Sequence, residues 1–197
     1  MAVGQGAVAA PRGGPSGGSI TLDVGPYVPG QRQRILVTVR DAGARRWGFQ
    51  LAAREARNPQ RQAGSLSTVP EDTFVWVRCC SVSMPPCNNE LEYATHTSLG
   101  SRANTPSGFV TFRVDWTAPA ADVGNVILTA AGLGADGDQG TGGDHSFTTT
   151  AVSLFAPSTQ PVLSEGGVVN GASFARPDRP ISEGAIVSLF GERLAPA

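Results

Sequence analysis

Three stretches carry side chains able to do chemistry. RCCSVSMPPC crowds Cys79, Cys80 and Cys87 together, with two prolines directly before the last. A disulfide from Cys79 or Cys80 to Cys87 would close a small loop, suit an oxidising compartment and leave one thiol over. The alternatives are free buried thiols, or a zinc site, which would want a fourth ligand although the nearest histidine, His96, stands nine residues beyond Cys87. His96 itself, in YATHT, could ligate a metal or haem, or be a structural histidine hydrogen-bonded at a strand. The loop GADGDQGTGGDHS sets Asp136, Asp138 and Asp144 on a glycine-rich frame, and carboxylates at alternate positions on such a loop can serve calcium. It is not an EF-hand, because the fifth position is Gly140 and no glutamate holds the twelfth; the competing reading is a solvated turn.

No catalytic constellation joins these residues. The chain has no His-Glu-x-x-His and, lacking lysine altogether, no phosphate loop with its lysine. Single acids on strands, such as Glu92 and Asp115, do not make the acid pair of a hydrolase. The chain therefore reads as non-catalytic and without a cofactor, unless the aspartate loop takes calcium.

The elements that must position these residues are strands. Gly and Pro make up 40 of the 197 residues, from 25 and 15, which favours many short strands joined by turns. SITLDV, QRILVTVRD, RWGFQLAAR, TFVWVRC, LEYATHT, GFVTFRVDWTAP, GNVILTAAGL and HSFTTTAVSLF are read as eight strands. QRILVTVRD and RWGFQLAAR, separated by a hairpin-length connection, read as a pair. Residues 55–72 read as a long loop. Alternation puts Trp47, Phe49, Leu51, Phe112, Val114 and Trp116 inside and Thr111, Arg113 and Asp115 outside. GNVILTAAGL, nearly continuous in apolar residues, reads as a central strand buried on both faces. The predicted fold is an all-β, immunoglobulin-like antiparallel sandwich of about eight strands.

All basic residues but the histidines are arginines, and they are unevenly spread. Residues 1–64 carry a net charge near +6 and residues 65–197 near −7, which cancel to −1. Sequence halves interleave in a sandwich, so this asymmetry reads as solvated strand faces rather than a polyanion site. Nucleic-acid binding is not expected, because the aromatics alternate into the core. No apolar run is long enough to span a membrane. Residues 1–17 lack the basic start and apolar length of a signal peptide and read as a disordered leader.

The order YVPGQ, an alternating strand, WGFQLAA, QAGSL, YATHT, FRVDWTAPAADVGNVILTAAG and a Gly/Asp-rich loop resembles the reeler-type domain over roughly residues 18–156. That resemblance implies an extracellular immunoglobulin-like sandwich of the kind found in secreted or surface-anchored bacterial proteins. Relatives often carry Cys-x-x-Cys-His for covalent haem before the first strand; residues 1–18 hold nothing like it. RCCSVSMPPC looks like an insertion peculiar to this chain. After a linker at 157–165, residues 166–197 are similar to the opening of a C-terminal domain of unknown function from large secreted proteins of soil bacteria. The marks are Asn170-Gly-Ala-Ser-Phe174, Ile181-Ser-Glu-Gly184, Leu189-Phe-Gly191 and Leu194. Only the start of that domain is read here, so its apolar strand, Ala185 to Phe190, is expected to lack partner strands of its own domain.

These readings converge on a secreted or cell-surface module for adhesion or binding, with an extracellular polysaccharide or a surface protein as partner. The alternatives are a structural spacer without a ligand and an accessory haem or electron-transfer domain acting through His96.

Overall fold

The computed structural model describes residues 17–70, 72–81, 85, 87, 91–103, 107–157, 161–174 and 184–194. The leader read at 1–17 lies outside them apart from Gly17, as does Ile181-Ser-Glu of the second resemblance. Among the described residues the chain is all β, with one 3-10 turn at Leu99–Ser101 and no α-helix. It divides into two units, residues 1–156 and 157–197.

The first unit is the expected antiparallel sandwich, built from β1 (Ser19–Asp23), β2 (Arg32–Arg40), β3 (Arg46–Glu55), β4 (Ser65–Thr68), β5 (Val75–Cys79), β6 (Glu92–His96), β7 (Phe109–Thr117), β8 (Val126–Ala135) and β9 (His145–Ser153). One sheet runs β1-β2-β7-β4 and the other β5-β6-β3-β8-β9. Period-two alternation supplies each sheet with one apolar face, and the two faces close on each other. Trp47, Phe49, Leu51, Phe112, Val114 and Trp116 are all buried, as the alternation predicts. Phe49 and Phe112 stack across the layers with centroids 4.3 Å apart.

Four features differ from the sequence reading. β2 and β3 are not a hairpin: β2 lies between β1 and β7, while β3 lies between β6 and β8 in the opposite sheet. Each carries a full apolar stripe, Ile35, Val37 and Val39 on one and Trp47, Phe49, Leu51 and Ala53 on the other. Facing stripes bury each other better across a core than side by side, so the short connection is a crossover, with Ala44 buried beneath it. Within the segment read as a long loop, Ser65–Thr68 forms β4 on the edge of β7. Leu66 is its one buried side chain, which leaves no alternating signal to read. β8 is an interior strand, between β3 and β9, yet only one face is covered, since Thr129 and Ala131 are exposed. Asp115 does sit on an outward position, but it is buried beneath Arg34, whose Nε donates to its Oδ1 at 2.8 Å.

Backbone freedom is required at Gly64, where φ is +72° and a Cβ would lie 2.1 Å from the Thr117 carbonyl oxygen. The chain passes there against β7, and the adjacent Ala63 carbonyl accepts the Trp116 indole N–H at 2.8 Å.

The second unit contains an antiparallel pair, β10 (Val162–Asn170) and β11 (Val187–Glu192), whose register shifts between Leu163 and Val168. β10 begins inside the stretch read as linker. The apolar strand therefore has a partner within its own unit, which corrects the expectation that it would lack one. Ile186, Leu189 and Phe190 remain exposed.

Candidate functional site

The cysteine segment makes one bond. Cys79, the last residue of β5, pairs with Cys87 across a Cα separation of 5.4 Å, and Cys80 is free and exposed. Strand alternation decides the choice: Cys79 points inward with Val75 and Val77, while Cys80 lies past the strand end. Residues 82–84, 86 and 88–90 of this loop lie outside the described residues.

His96 ends β6 and its ring lies over Gly48 of β3, where a Cβ would come within 3.0 Å of Cε1. Its Nδ1 lies 3.3 Å from the Phe49 backbone nitrogen and 3.5 Å from the Phe49 carbonyl oxygen. The ring is thus held at the edge of the outer face of the five-stranded sheet. His145 begins β9, and β3 and β8 separate its strand from that of His96. His145 instead lies beside Asp41, Nδ1 to Oδ2 at 2.7 Å.

The three loop aspartates do not converge. Asp136 Oδ1 accepts the Asp138 N–H at 3.0 Å and Asp138 Oδ1 accepts the Gly140 N–H at 2.6 Å, each carboxylate closing its own turn. Among the described residues no three His, Cys, Asp or Glu side chains gather as a cation-holding group.

The broadest arrangement of functional groups is the outer face of the five-stranded sheet. Its outward positions, set by the pairing of β3 with β8 and β6, of β8 with β9 and of β5 with β6, run through Gln50, Arg54, Thr95, Thr129, Thr148 and Thr150. Arg46, Arg54 and Arg78 occupy this face and, among the described residues of its strands, no Asp or Glu does. Trp76 and Tyr93 also face outward, contrary to the reading that aromatics alternate into the core. Arg78 stands over the Trp76 ring, 4.5 Å from its centroid, directly opposite Tyr93 in the ladder. The signal was present in VWVRC, because burying Val75, Val77 and Cys79 sends Trp76 and Arg78 the other way.

Two shallow hollows adjoin on this face. One, of about 390 Å³, is lined by Arg54, Tyr93, Ala52 and Thr129, and the other, of about 270 Å³, by Gly48, His96, Leu133 and Ser146. Gln50 and Ala131 line both, so the two run together over small side chains. Such a strip offers apolar floor, hydroxyl and amide hydrogen-bonding groups, and guanidinium charge at one end.

No protein-family model matches the chain, and no curated protein matches it. Among solved structures it is similar to two fragments of the human F-spondin reeler domain. The first is 20% identical, covers 71% of this chain and 92% of that chain, and has a TM-score of 0.43. The second is 21% identical, covers 74% and 95%, and has the same TM-score of 0.43. It is also similar to AvmM, which catalyses macrocyclization in alchivemycin A biosynthesis, at 14% identity over 76% of this chain and 98% of that chain, with a TM-score of 0.38. At these scores none of them transfers a function to this chain.

Proposed function

We propose that the sandwich is a non-catalytic extracellular binding module that takes an acidic polysaccharide on the outer face of its five-stranded sheet. The observation that carries this reading is the composition of that face. Among the described residues it combines three arginines with no acid, two outward aromatics and a row of threonines around two adjoining hollows. A polyuronate presents spaced carboxylates and hydroxyls, and guanidinium groups recognise carboxylates with two parallel hydrogen bonds. An open strip suits an extended chain better than a small molecule. The extracellular placement draws support from the Cys79–Cys87 disulfide, which persists in oxidising compartments, and from the resemblance in sequence.

The test is binding of the whole chain to immobilised polygalacturonate at 50 and 300 mM salt. Binding should weaken at the higher salt. Arg54→Gln and Tyr93→Ala should each weaken it further without altering thermal unfolding. Retention that neither variant reduces would overturn the reading, and equal retention on a neutral glucan would turn it toward a spacer domain that binds nothing specifically.

A further inference from the structure

The other sheet carries a second, separate hollow. On its outer side Arg34 of β2, Arg113 of β7 and the loop residues Val69, Asp72 and Phe74 line a space of about 250 Å³. Asp72 is 7% exposed. Its Oδ1 accepts the Phe74 N–H at 2.9 Å, whereas Oδ2 is buried with no hydrogen-bond partner among the described residues. A buried carboxylate oxygen left in that state is costly, and native structures seldom keep one without a use.

The charges around the hollow are unequally satisfied. Arg34 is committed to Asp115, with Nε to Oδ1 at 2.8 Å and Nη2 to Oδ2 at 3.3 Å. Arg102 lies against the Phe74 ring, 4.5 Å from its centroid, and donates from Nη2 to the Thr111 carbonyl at 3.3 Å. Burial pulls the Arg102 guanidinium down from its ordinary value and the Asp72 carboxylate opposes this, so the two sense each other electrostatically. The charge of Asp72 is thus offset, while its Oδ2 and the Arg102 Nε are both buried without a hydrogen-bond partner among the described residues. Arg113 is exposed and forms no ion pair among the described residues, even though it shares the hollow with Asp72.

A ligand that completes this hollow brings one anionic group to Arg113 and one neutral donor to Asp72. We propose that it binds a single uronic-acid-type sugar, with the carboxylate against the Arg113 guanidinium and a ring hydroxyl donating to Asp72 Oδ2. The C–H groups of the ring rest on Val69 and Phe74. The hollow is smaller than the roughly 300–1,000 Å³ of ordinary ligand pockets, which suits one sugar unit rather than a larger ligand. The site lies on the sheet opposite the proposed polysaccharide face and stands without that reading.

The experiment is an amide NMR titration of the whole chain with glucuronate, glucose and acetate. Glucuronate should shift the amides of Val69, Asp72, Phe74 and Arg113, and glucose should not at equal concentration. Arg113→Gln, at an exposed position, should weaken glucuronate binding about tenfold or more. Asp72→Asn keeps an oxygen for the Phe74 N–H but replaces the orphaned acceptor with a donor. It should bring glucuronate binding down to the acetate level and leave acetate unchanged. Arg54→Gln, on the opposite sheet, should leave this titration as it was, so failure here and failure of the polysaccharide reading are separable. Shifts confined to β3, β8 and β9, equal response to glucose, or full binding by Arg113→Gln would overturn the assignment.

Discussion

His145 Nδ1 lies 2.7 Å from Asp41 Oδ2, which joins the start of β9 to the crossover after β2 over a sequence separation of 104. The other oxygen, Oδ1, accepts the Gly43 N–H at 2.9 Å, so one nearly buried carboxylate fixes both the turn and a strand of the facing sheet. His145→Ala leaves Oδ2 without this partner and should cost about 1–3 kcal/mol by urea unfolding. In a double-mutant cycle, Asp41→Asn and His145→Ala should show a non-zero coupling. Additive losses would mean that the pair is incidental to the crossover.

Trp116 is fully buried, donates its indole N–H to Ala63 and meets the Tyr27 ring edge-on at 5.9 Å. Trp116→Ala should cost roughly 3–5 kcal/mol. Trp116→Phe keeps most of the volume but leaves the Ala63 carbonyl unpaired, and should fall between that variant and the parent in denaturant midpoint.

Glu92 couples stability to pH. Burial raises its carboxyl pKa above the ordinary value, and the opposing effect of the Leu66 N–H, which donates to Oε2 at 2.7 Å, is smaller. A pKa raised in the folded state means that protonation favours folding. That contribution is fully present below the unfolded-state pKa and is lost as pH rises through the folded-state value. Glu92→Gln keeps an acceptor for Leu66 and removes the charge. It should therefore melt higher than the parent at pH 7, with the gap closing as the pH is lowered. A gap independent of pH would assign the effect to packing.

The Cys79–Cys87 bond closes a short loop, and reduction should cost about 2–3 kcal/mol by the loop-entropy relation. A maleimide should label Cys80 alone in the folded, oxidised protein, because that thiol is free and exposed. Non-reducing digestion should recover a peptide pair joining Cys79 to Cys87. Linkage of Cys80 to Cys87 would overturn the strand register at the end of β5.

What the sequence determined by itself was which side chains face inward. Period two is a local property of the strand, so Trp47, Phe49, Leu51, Phe112, Val114 and Trp116 could be assigned to the core without knowing any pairing. The same rule, applied to VWVRC, already contained the outward Trp76 and Arg78. Tertiary structure alone decided which strand lies beside which. A stripe on β2 and a stripe on β3 are equally consistent with neighbours in one sheet or partners across the core, and only the presence of β1, β7, β6 and β8 at their edges selects the second. It also decided where charge is concealed, because Asp115 alternates outward like any solvated acid until Arg34 lies across it. Asp72 and Arg113 stand 41 positions apart in a strand-and-loop sequence with no shared motif. Nothing local could bring them to one hollow, since their meeting depends on how the β4–β5 loop folds over the four-stranded sheet.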